Sequence, residues 1–470
     1  MTEKNTMSKK KFYLFSLNYI MGFGFIATIG KIMELHALGL IAFMITSFVV
    51  LCVALAFSRA ADAYPDAMGG SYHYAKQSGG RHGGFYQGWT QYIQGPILSI
   101  TAPLFLAAIL KEIDPSHGLM YDLLSVGVFI LITIITTFGY KVSLKFIAIS
   151  SILKWIVLIT SVGAIIYLAA QDNAFHSNWV GSTKVNAITF TGAVLAFIYA
   201  YGGIESIASL AGEVEVRKFR KLLLKVFFVL FSIYFVFYLI FMGVDMAILN
   251  SGNVKLFQKI FTISMGTTGV VIYTIGIIGN KMSARASNTI TTSRSIVVLA
   301  EDDYLPKWIA KRNKKGEYGL SIYLNSTISI LMMLLGLLWE VFIGGDTFNS
   351  ILDIGLFLFF SQYIGTFISL MILSKRKEIP KIPIWEYIMY LVAIAIMVVV
   401  LIIVMVPPIT GQAWELKNTI QITSLLGFIA IGYVIWGIHA LSSKNRKDKE
   451  MQPYIEQGKN SVKNTRVNRK

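Results

Sequence analysis

Twelve largely apolar segments dominate the 470-residue sequence and constrain its fold more than any other feature. A helix that crosses the hydrocarbon core of a bilayer needs about 20 such residues. Only 14% of the residues are charged, whereas soluble domains carry about 25%. The sequence therefore predicts an all-α polytopic membrane protein with 12 transmembrane helices. The predicted spans are 12–35, 38–58, 85–110, 119–138, 146–170, 187–211, 222–249, 264–292, 320–343, 349–373, 384–406 and 419–441.

Positive charges are distributed unevenly among the segments that join these spans. If the N-terminus lies in the cytoplasm, 32 of the 42 Lys and Arg residues fall in cytoplasmic segments and 5 fall in outer loops. Basic residues favour the cytoplasmic side of a membrane, so we expect a plasma-membrane protein with both termini in the cytoplasm. The predicted parts are a cytoplasmic N-terminus (1–11), a ten-helix core (12–373), two added helices (384–441) and a basic, disordered tail (442–470).

The remaining composition excludes several kinds of partner. The net charge of +17 would suit nucleic acid, but it is concentrated in loops and tails between apolar segments, as in membrane proteins. We therefore expect no nucleic-acid partner. The six histidines are scattered without the spacing of a metal site, so no metal is expected. The single cysteine, Cys52, cannot form an intramolecular disulfide.

Two of the spans contain residues that suit an interruption better than a continuous helix. Gly22 and Gly24 lie in the first span, and Gly202-Gly203 precede Glu205 in the sixth. Glycine costs roughly 1 kcal/mol inside a helix, and an acid at mid-membrane costs about 2.5–3.5 kcal/mol. Secondary transporters build substrate sites from such half-helix ends, although glycines also serve close helix packing.

The two interrupted spans are five apart. A repeat of five helices reverses its orientation in the membrane because five is odd, so the two breaks can meet at the midplane. The sequence thus predicts a 5+5 inverted repeat with discontinuous helices 1 and 6, to which helices 11 and 12 are additions.

Four motifs, in order along residues 12–375, resemble those of the amino acid–polyamine–organocation superfamily. They are Gly22–Ile26, Phe57–Tyr74, Tyr199–Glu205, and Ser293-Arg294 followed by Leu299–Pro306. The resemblance implies a leucine-transporter-like fold that moves amino acids by alternating access. It also implies a substrate carboxylate on amides at the first break, an amino group near carbonyls of the second, and an aromatic cap from Tyr199. The implied substrate-binding residues are Gly22, Phe23, Gly24, Phe25, Ile26, Tyr199, Ala200, Tyr201, Gly202 and Gly203.

Lys154, inside the span 146–170, is the candidate for ion coupling. Proton-coupled members of the superfamily carry a lysine fifteen residues after a glycine that matches Gly139, and its ammonium replaces a sodium ion. A buried lysine can reach a pKa of about 5–6 and exchange protons. We therefore expect a proton gradient rather than Na⁺ as the driving force, with Glu205 as a second coupling residue and no cofactor. The alternative is that Lys154 extends to the headgroups.

Lys281 and Arg285 are four residues apart and share a face of the eighth span. Counting back from Asp302-Asp303 places them near the substrate cavity, where superfamily members usually carry small or aromatic residues. Two cations there would suit an anionic substrate such as glutamate or aspartate. Alternatively the helix ends near Asn280, because its apolar part is only 17 residues long, and both cations lie at the headgroups.

The predicted function is secondary active transport of an amino acid, coupled to protons through Lys154. An alternative is an exchanger (antiporter), with acidic amino acids as one substrate class. An intramembrane enzyme would need a nucleophile–base pair or metal ligands at membrane depth, and no His-rich or double-Asp motif lies within a span, so no enzyme is predicted. A channel would need a ring of carbonyls or charges. The expected partners are the amino acid and the lipid bilayer, and the sequence does not specify an oligomeric state.

Overall fold

The computed structural model of the chain describes residues 8–64, 70–137, 140–180, 185–208, 211, 214, 219–245, 256–313, 317–344 and 346–467. Residues 65–69 of the second motif, and Gly139, which sets the spacing to Lys154, lie outside the described residues. The helices of the first half are α1 (Lys9–Ile20), α2 (Phe23–Met33), α3 (Leu38–Ala63), α4 (Ser71–Ser99), α5 (Thr101–Ile113), α6 (Gly118–Thr136), α7 (Tyr140–Asp172) and α8 (Phe175–Val180). Those of the second half are α9 (Ala187–Ile198), α10 (Ile204–Ala208), α11 (Phe219–Phe241), α12 (Leu256–Glu301), α13 (Gly319–Phe342), α14 (Thr347–Lys375), α15 (Ile384–Met405) and α16 (Leu416–Val467).

The helices confirm a multi-pass membrane protein. Among the described residues, 11 helical stretches are long and apolar enough to cross a membrane, or 12 when the bent pair α1 and α2 counts as one span. Helices α3 and α14 have 67% of their most apolar window buried inside the protein, whereas α16 has 6%. Exposed apolar side chains on the rim helices suit contact with lipid. The α4–α5 stretch, with 72% of its window buried, lies with α3 and α14 towards the centre of the bundle, and α16 lies at its edge.

Several helices extend beyond the apolar segments that predicted them. The third predicted span, 85–110, corresponds to α4 and α5, which together begin at Ser71 because α4 includes a further helical stretch before a kink at Gly80. Helix α12 covers Leu256–Glu301 in place of 264–292, with a kink at Gly266. Helix α16 continues to Val467 where a disordered tail was predicted.

The first span is bent at its glycine motif. Helices α1 and α2 meet at 53°, because Met21 is extended and Gly22, the N-cap of α2, has φ 162° and ψ −124°. In the sixth predicted span, α9 ends at Ile198, a 3-10 turn covers Tyr199–Tyr201, and α10 begins at Ile204. The inverted relation between two five-helix halves stays a prediction.

Ionic contacts join distant parts of the bundle. The carboxylate of Glu386 in α15 is fully buried. It accepts hydrogen bonds from Arg59 Nε at 2.9 Å and Nη2 at 2.6 Å, and from Arg220 Nη2 at 2.8 Å. Tyr390 also donates to it. This cluster ties α15 to the end of α3 and the start of α11.

A second contact joins the start of α4 to the residue that follows α12. Asp302 pairs with Lys76 Nζ at 2.7 Å and accepts a hydrogen bond from the Tyr72 hydroxyl. Partial burial alone would raise the pKa of Asp302, but the hydrogen bonds from Lys76 and Tyr72 outweigh it and hold the pKa below the usual carboxyl value. The contact fixes two of the sequence motifs against each other.

Candidate functional site

A cavity of about 230 Å³ lies where the two glycine motifs meet. It is smaller than the roughly 300–1,000 Å³ of pockets for drug-sized ligands. The predicted site residues that line it are Gly22, Phe23, Gly24, Tyr199, Gly202, Gly203, Lys154, Glu205, Lys281 and Arg285. Residues separated by more than 260 positions thus contribute to one site of a size that suits a small metabolite.

Four residues implied by the family resemblance are not among those that line the cavity: Phe25, Ile26, Ala200 and Tyr201. The Phe25 ring stacks on Tyr234 at 4.6 Å, and the Tyr234 hydroxyl donates to the Ala200 carbonyl at 2.8 Å. The Tyr201 hydroxyl lies 2.9 Å from Ser47 Oγ. The side chains of Phe25 and Tyr201, and the Ala200 carbonyl, therefore contact the neighbouring helices.

The first break presents the N-terminus of α2 to the cavity. The amides of a first helical turn have no intrahelical acceptor, and the N-cap Gly22 has no side chain to cap them. A Cβ on Gly22 would lie 2.9 Å from Asn280 Oδ1, and a Cβ on Gly24 would overlap the Tyr199 carbonyl oxygen. Free amides and the positive end of a helix dipole favour an anion. The two glycines let α12 and the second break approach this end closely.

The second break is stabilised by Glu205, which is 5% exposed. Its carboxylate accepts hydrogen bonds from the Gly203 amide at 3.0 and 3.2 Å, from Tyr363 at 3.1 Å and from Ser206 Oγ at 3.2 Å. Gly203 has φ +112°, and a Cβ there would lie 2.7 Å from the Tyr19 ring. The carboxylate thus satisfies a backbone amide that the interrupted helix leaves free.

Lys154 is buried in α7, with 3% of its surface exposed. Its ammonium donates to the backbone carbonyl of Asn18, in the last turn of α1. The Asn18 side chain is fixed in turn by Trp155 Nε1 at 3.2 Å and by Ser151 Oγ at 3.0 Å. A cation at a helix C-terminus meets the negative end of the dipole. The ammonium therefore lies at the end of α1, beside the cavity, and does not extend to the headgroups.

Lys281 and Arg285 lie on the cavity face of α12, with 5% and 6% exposure. The Lys281 ammonium lies 2.8 Å from the centroid of the Phe23 ring and 3.5 Å from Thr101 Oγ1. Arg285 Nε donates to Thr133 Oγ1 at 3.1 Å. Helix α12 continues to Glu301, so the expected alternative of a helix that ends near residue 280 is wrong, and both side chains are buried beside the cavity.

The lining is unbalanced in charge. It includes four basic residues, Lys154, Lys281, Arg285 and Arg294, and one acidic residue, Glu205. In the part of the chain that the structure describes, no group of three or more His, Cys, Asp or Glu residues could hold a metal ion.

Sequence reasoning missed several polar residues that organise the site. The Asn18 carbonyl accepts a hydrogen bond from Lys154, and the Thr133 hydroxyl accepts one from Arg285. The Asn280 side chain lies next to Gly22. Tyr363, which lies in α14, donates a hydrogen bond to the Glu205 carboxylate. Amides and hydroxyls inside apolar spans were the available signal, because such groups need a partner in lipid. Their partners lie more than 100 positions away, beyond what periodicity can indicate.

Comparison with known proteins assigns the chain to a family. The family model described as "Amino acid permease" matches residues 9–431. The chain belongs to the amino acid permease family, which confirms the superfamily resemblance and points to amino acid transport rather than catalysis.

Three curated relatives match over nearly their whole lengths. The chain is 29% identical to "Uncharacterized protein MG225" of Mycoplasma genitalium, over 95% of this chain and 97% of that protein. It is 29% identical to "Uncharacterized protein MG226" of the same organism, over 94% and 97%. It is 27% identical to "Uncharacterized protein MG226 homolog" of Mycoplasma pneumoniae, over 91% and 93%.

Proposed function

We propose that the chain is a secondary active transporter that moves an amino acid across the plasma membrane by alternating access. The observation that carries the proposal is the meeting of two helix interruptions, at Gly22 and at Tyr199–Gly203, on one small cavity. Membership of the permease family supports the same substrate class. Half-helix ends at mid-membrane bind a charged substrate without an added cofactor.

The two ends of the α-amino acid backbone require opposite partners. The first turn of α2 offers amides and a positive dipole end, which suit the α-carboxylate. The second break offers Glu205, which is the one acidic residue among the described residues that line the cavity, and the carbonyls of an interrupted helix. The α-ammonium would lie on that side. The Tyr199 ring, 6.2 Å from the Phe23 ring, would cover the bound backbone.

We further propose that Lys154 carries the coupled proton. Its ammonium joins α7 to the end of α1 by a hydrogen bond to the Asn18 carbonyl, beside the hydrogen bonds that Trp155 and Ser151 make with the Asn18 side chain. Loss of the proton would convert this charged hydrogen bond to a weaker neutral one and weaken the attachment of α1 to α7. An ammonium in this position leaves no need for Na⁺, so protons are the proposed coupling ion.

Uptake into proteoliposomes tests the proposal. Purified protein would be reconstituted with each labelled amino acid outside, with and without an inward proton gradient and with and without Na⁺. We expect the uptake rate to increase with the inward proton gradient and to be independent of Na⁺. Uptake that requires internal amino acid and ignores the gradient would favour the exchanger. Absence of both uptake and binding for all twenty amino acids, in protein that is folded and inserted, would overturn the proposed function.

A further inference from the structure

We propose that the transported amino acid has an anionic side chain, and that Arg285 binds its second carboxylate while Lys281 lies beside the α-carboxylate. This inference rests on the proposed function of the same cavity. It concerns the part of the cavity that would bind the side chain, whereas the two helix breaks would bind the backbone of the amino acid.

The two cations are buried and have no acidic partner among the described residues. Within the described residues, the contacts of Lys281 are the Phe23 ring and Thr101, and the Arg285 guanidinium donates to Thr133. Arg285 Nη2 is buried and has no hydrogen-bond partner in the same described set. A buried charge is expensive unless it is paired and hydrogen-bonded. An unused guanidinium donor beside a cavity therefore indicates a missing acceptor.

Glu205 does not supply that acceptor. Its two oxygens accept from the Gly203 amide, Tyr363 and Ser206, which satisfies the carboxylate locally. Among the described residues that line the cavity, Lys281 and Arg285 thus share it with a single carboxylate that is already engaged. A bound ligand with net negative charge would restore the balance.

Lys281 and Arg285 lie beside two different positions, one for the α-carboxylate and one for the side-chain carboxylate. Lys281 lies over Phe23, at the start of α2, where the α-carboxylate is proposed to bind. Arg285 lies one helical turn further along α12, about 6 Å of rise. Two or three carbons separate the carboxylates of aspartate and glutamate, which suits two neighbouring positions. Guanidinium groups bind carboxylates in bidentate fashion, so Arg285 is the residue expected to select the side chain.

The experiment compares ligands that differ only in the side-chain charge. Binding of glutamate, glutamine, aspartate, asparagine and leucine to the purified wild-type protein would be measured by calorimetry in methanesulfonate buffer without chloride. We expect each acidic amino acid to bind at least about tenfold more tightly than its amide, from the loss of a charged hydrogen bond. In Arg285→Gln, glutamate affinity should fall about tenfold or more while glutamine affinity changes less than threefold.

The controls separate charge from folding. Lys225→Gln removes a cation that lies over the Tyr13 ring, 5.4 Å from its centroid, and is not among the cavity-lining residues. It should leave the preference unchanged. If Arg285→Gln does not fold, the wild-type comparison still decides the matter. Thr133→Val, which removes the hydroxyl that positions Arg285, should then reduce the glutamate-to-glutamine ratio.

The contrary outcomes are distinct. Tighter binding of neutral or basic amino acids would overturn the acidic preference and leave the proposed transporter intact. Stabilisation by chloride alone, with glutamate and glutamine bound equally, would also overturn it and assign the cations to an inorganic anion. Absence of binding by every amino acid would overturn the proposed function itself.

Discussion

Gly24 of α2 lies directly against the backbone carbonyl of Tyr199, so closely that a Cβ at this position would overlap the oxygen. The contact joins the first half-helix to the 3-10 turn of the sixth predicted span. Neither partner can yield easily, because one is a helix backbone and the other is the backbone at a break. The relative position of the two interruptions thus depends on the missing side chain.

Gly24→Ala should therefore lose amino acid binding and destabilise the protein by about 1–3 kcal/mol, the usual cost of overpacking. Gly163→Ala is the matched control, because a Cβ there meets nothing within 4 Å. Thermal unfolding in detergent and ligand binding would be measured for both variants. Equal behaviour of the two alanines would show that the Gly24 contact is not needed.

Lys154→Met should separate binding from coupling. The methionine retains the length of the side chain and removes the ammonium that donates to Asn18. Proteoliposome uptake should no longer follow the proton gradient, while substrate affinity stays within about threefold. Lys225→Met, which alters a lysine of α11 outside the cavity lining, should keep the gradient dependence. Unchanged proton dependence in Lys154→Met would remove this residue from the mechanism.

Two tyrosine hydroxyls allow a matched test of the second break. Tyr363→Phe removes a donor to Glu205 and should cost about 1.5–3 kcal/mol if the carboxylate is ionised. Tyr273→Phe removes a buried hydroxyl that has no partner among the described residues, so it should be neutral or stabilising. Thermal unfolding of both variants measures the difference. A larger loss in Tyr273→Phe would contradict the role assigned to Tyr363.

The carboxylate of Glu386 should contribute far more to stability than an exposed one. Glu386→Gln leaves Arg59 and Arg220 without their shared partner and should cost about 3–5 kcal/mol, as for other broken buried pairs. Glu415→Gln breaks a pair with Lys417 in which both side chains are more than half exposed, and should cost about 0–1 kcal/mol. Both would be compared by thermal unfolding at one pH. A small, equal effect would mean that the three-helix cluster does not hold α15.

Acid should release the contact between Asp302 and Lys76. Partial burial disfavours the ionised form of Asp302. The hydrogen bonds from Lys76 and Tyr72 have a larger combined effect and lower the pKa of Asp302. Its stabilising contribution is therefore complete above the ordinary carboxyl pKa of 3.8 and is lost as the pH falls through the lower folded value. The stability difference between wild type and Asp302→Asn should shrink as the pH falls below 3.8. A difference that stays constant from pH 6 to pH 3 would contradict this assignment.

The sequence was most informative where a residue is costly in an ordinary helix. Gly22 and Gly24 mark the bend between α1 and α2, and Gly202 and Gly203 follow the 3-10 turn at Tyr199–Tyr201, because glycine is costly inside an ordinary helix. That helices 1 and 6 are discontinuous spans stays a prediction. The position of Lys281 and Arg285 could not be decided in the same way. It depends on helix α12 continuing far beyond its apolar core, to Glu301, and apolar length is a poor guide where the helix is buried by its neighbours.

The partners of the charged residues also could not be predicted from the sequence. Lys154 donates to the carbonyl of Asn18, and a backbone acceptor leaves no trace in side-chain composition. The pairing of Arg59 with Glu386 spans more than 300 positions, and many arginines and carboxylates in the chain are equally plausible partners. Such contacts follow from how the helices pack, which a single sequence does not specify.

The surplus of basic residues in the cavity has an electrical consequence. In alternating access the seal around a site moves from one side of the membrane to the other, so fixed charge in the cavity crosses the electric field even when no substrate is bound. One elementary charge moved through 100 mV corresponds to about 2.3 kcal/mol. A bound anion would cancel part of the charge contributed by Lys281 and Arg285. The return of the empty carrier would then be the voltage-sensitive step, and the membrane potential would regulate turnover independently of the substrate gradient.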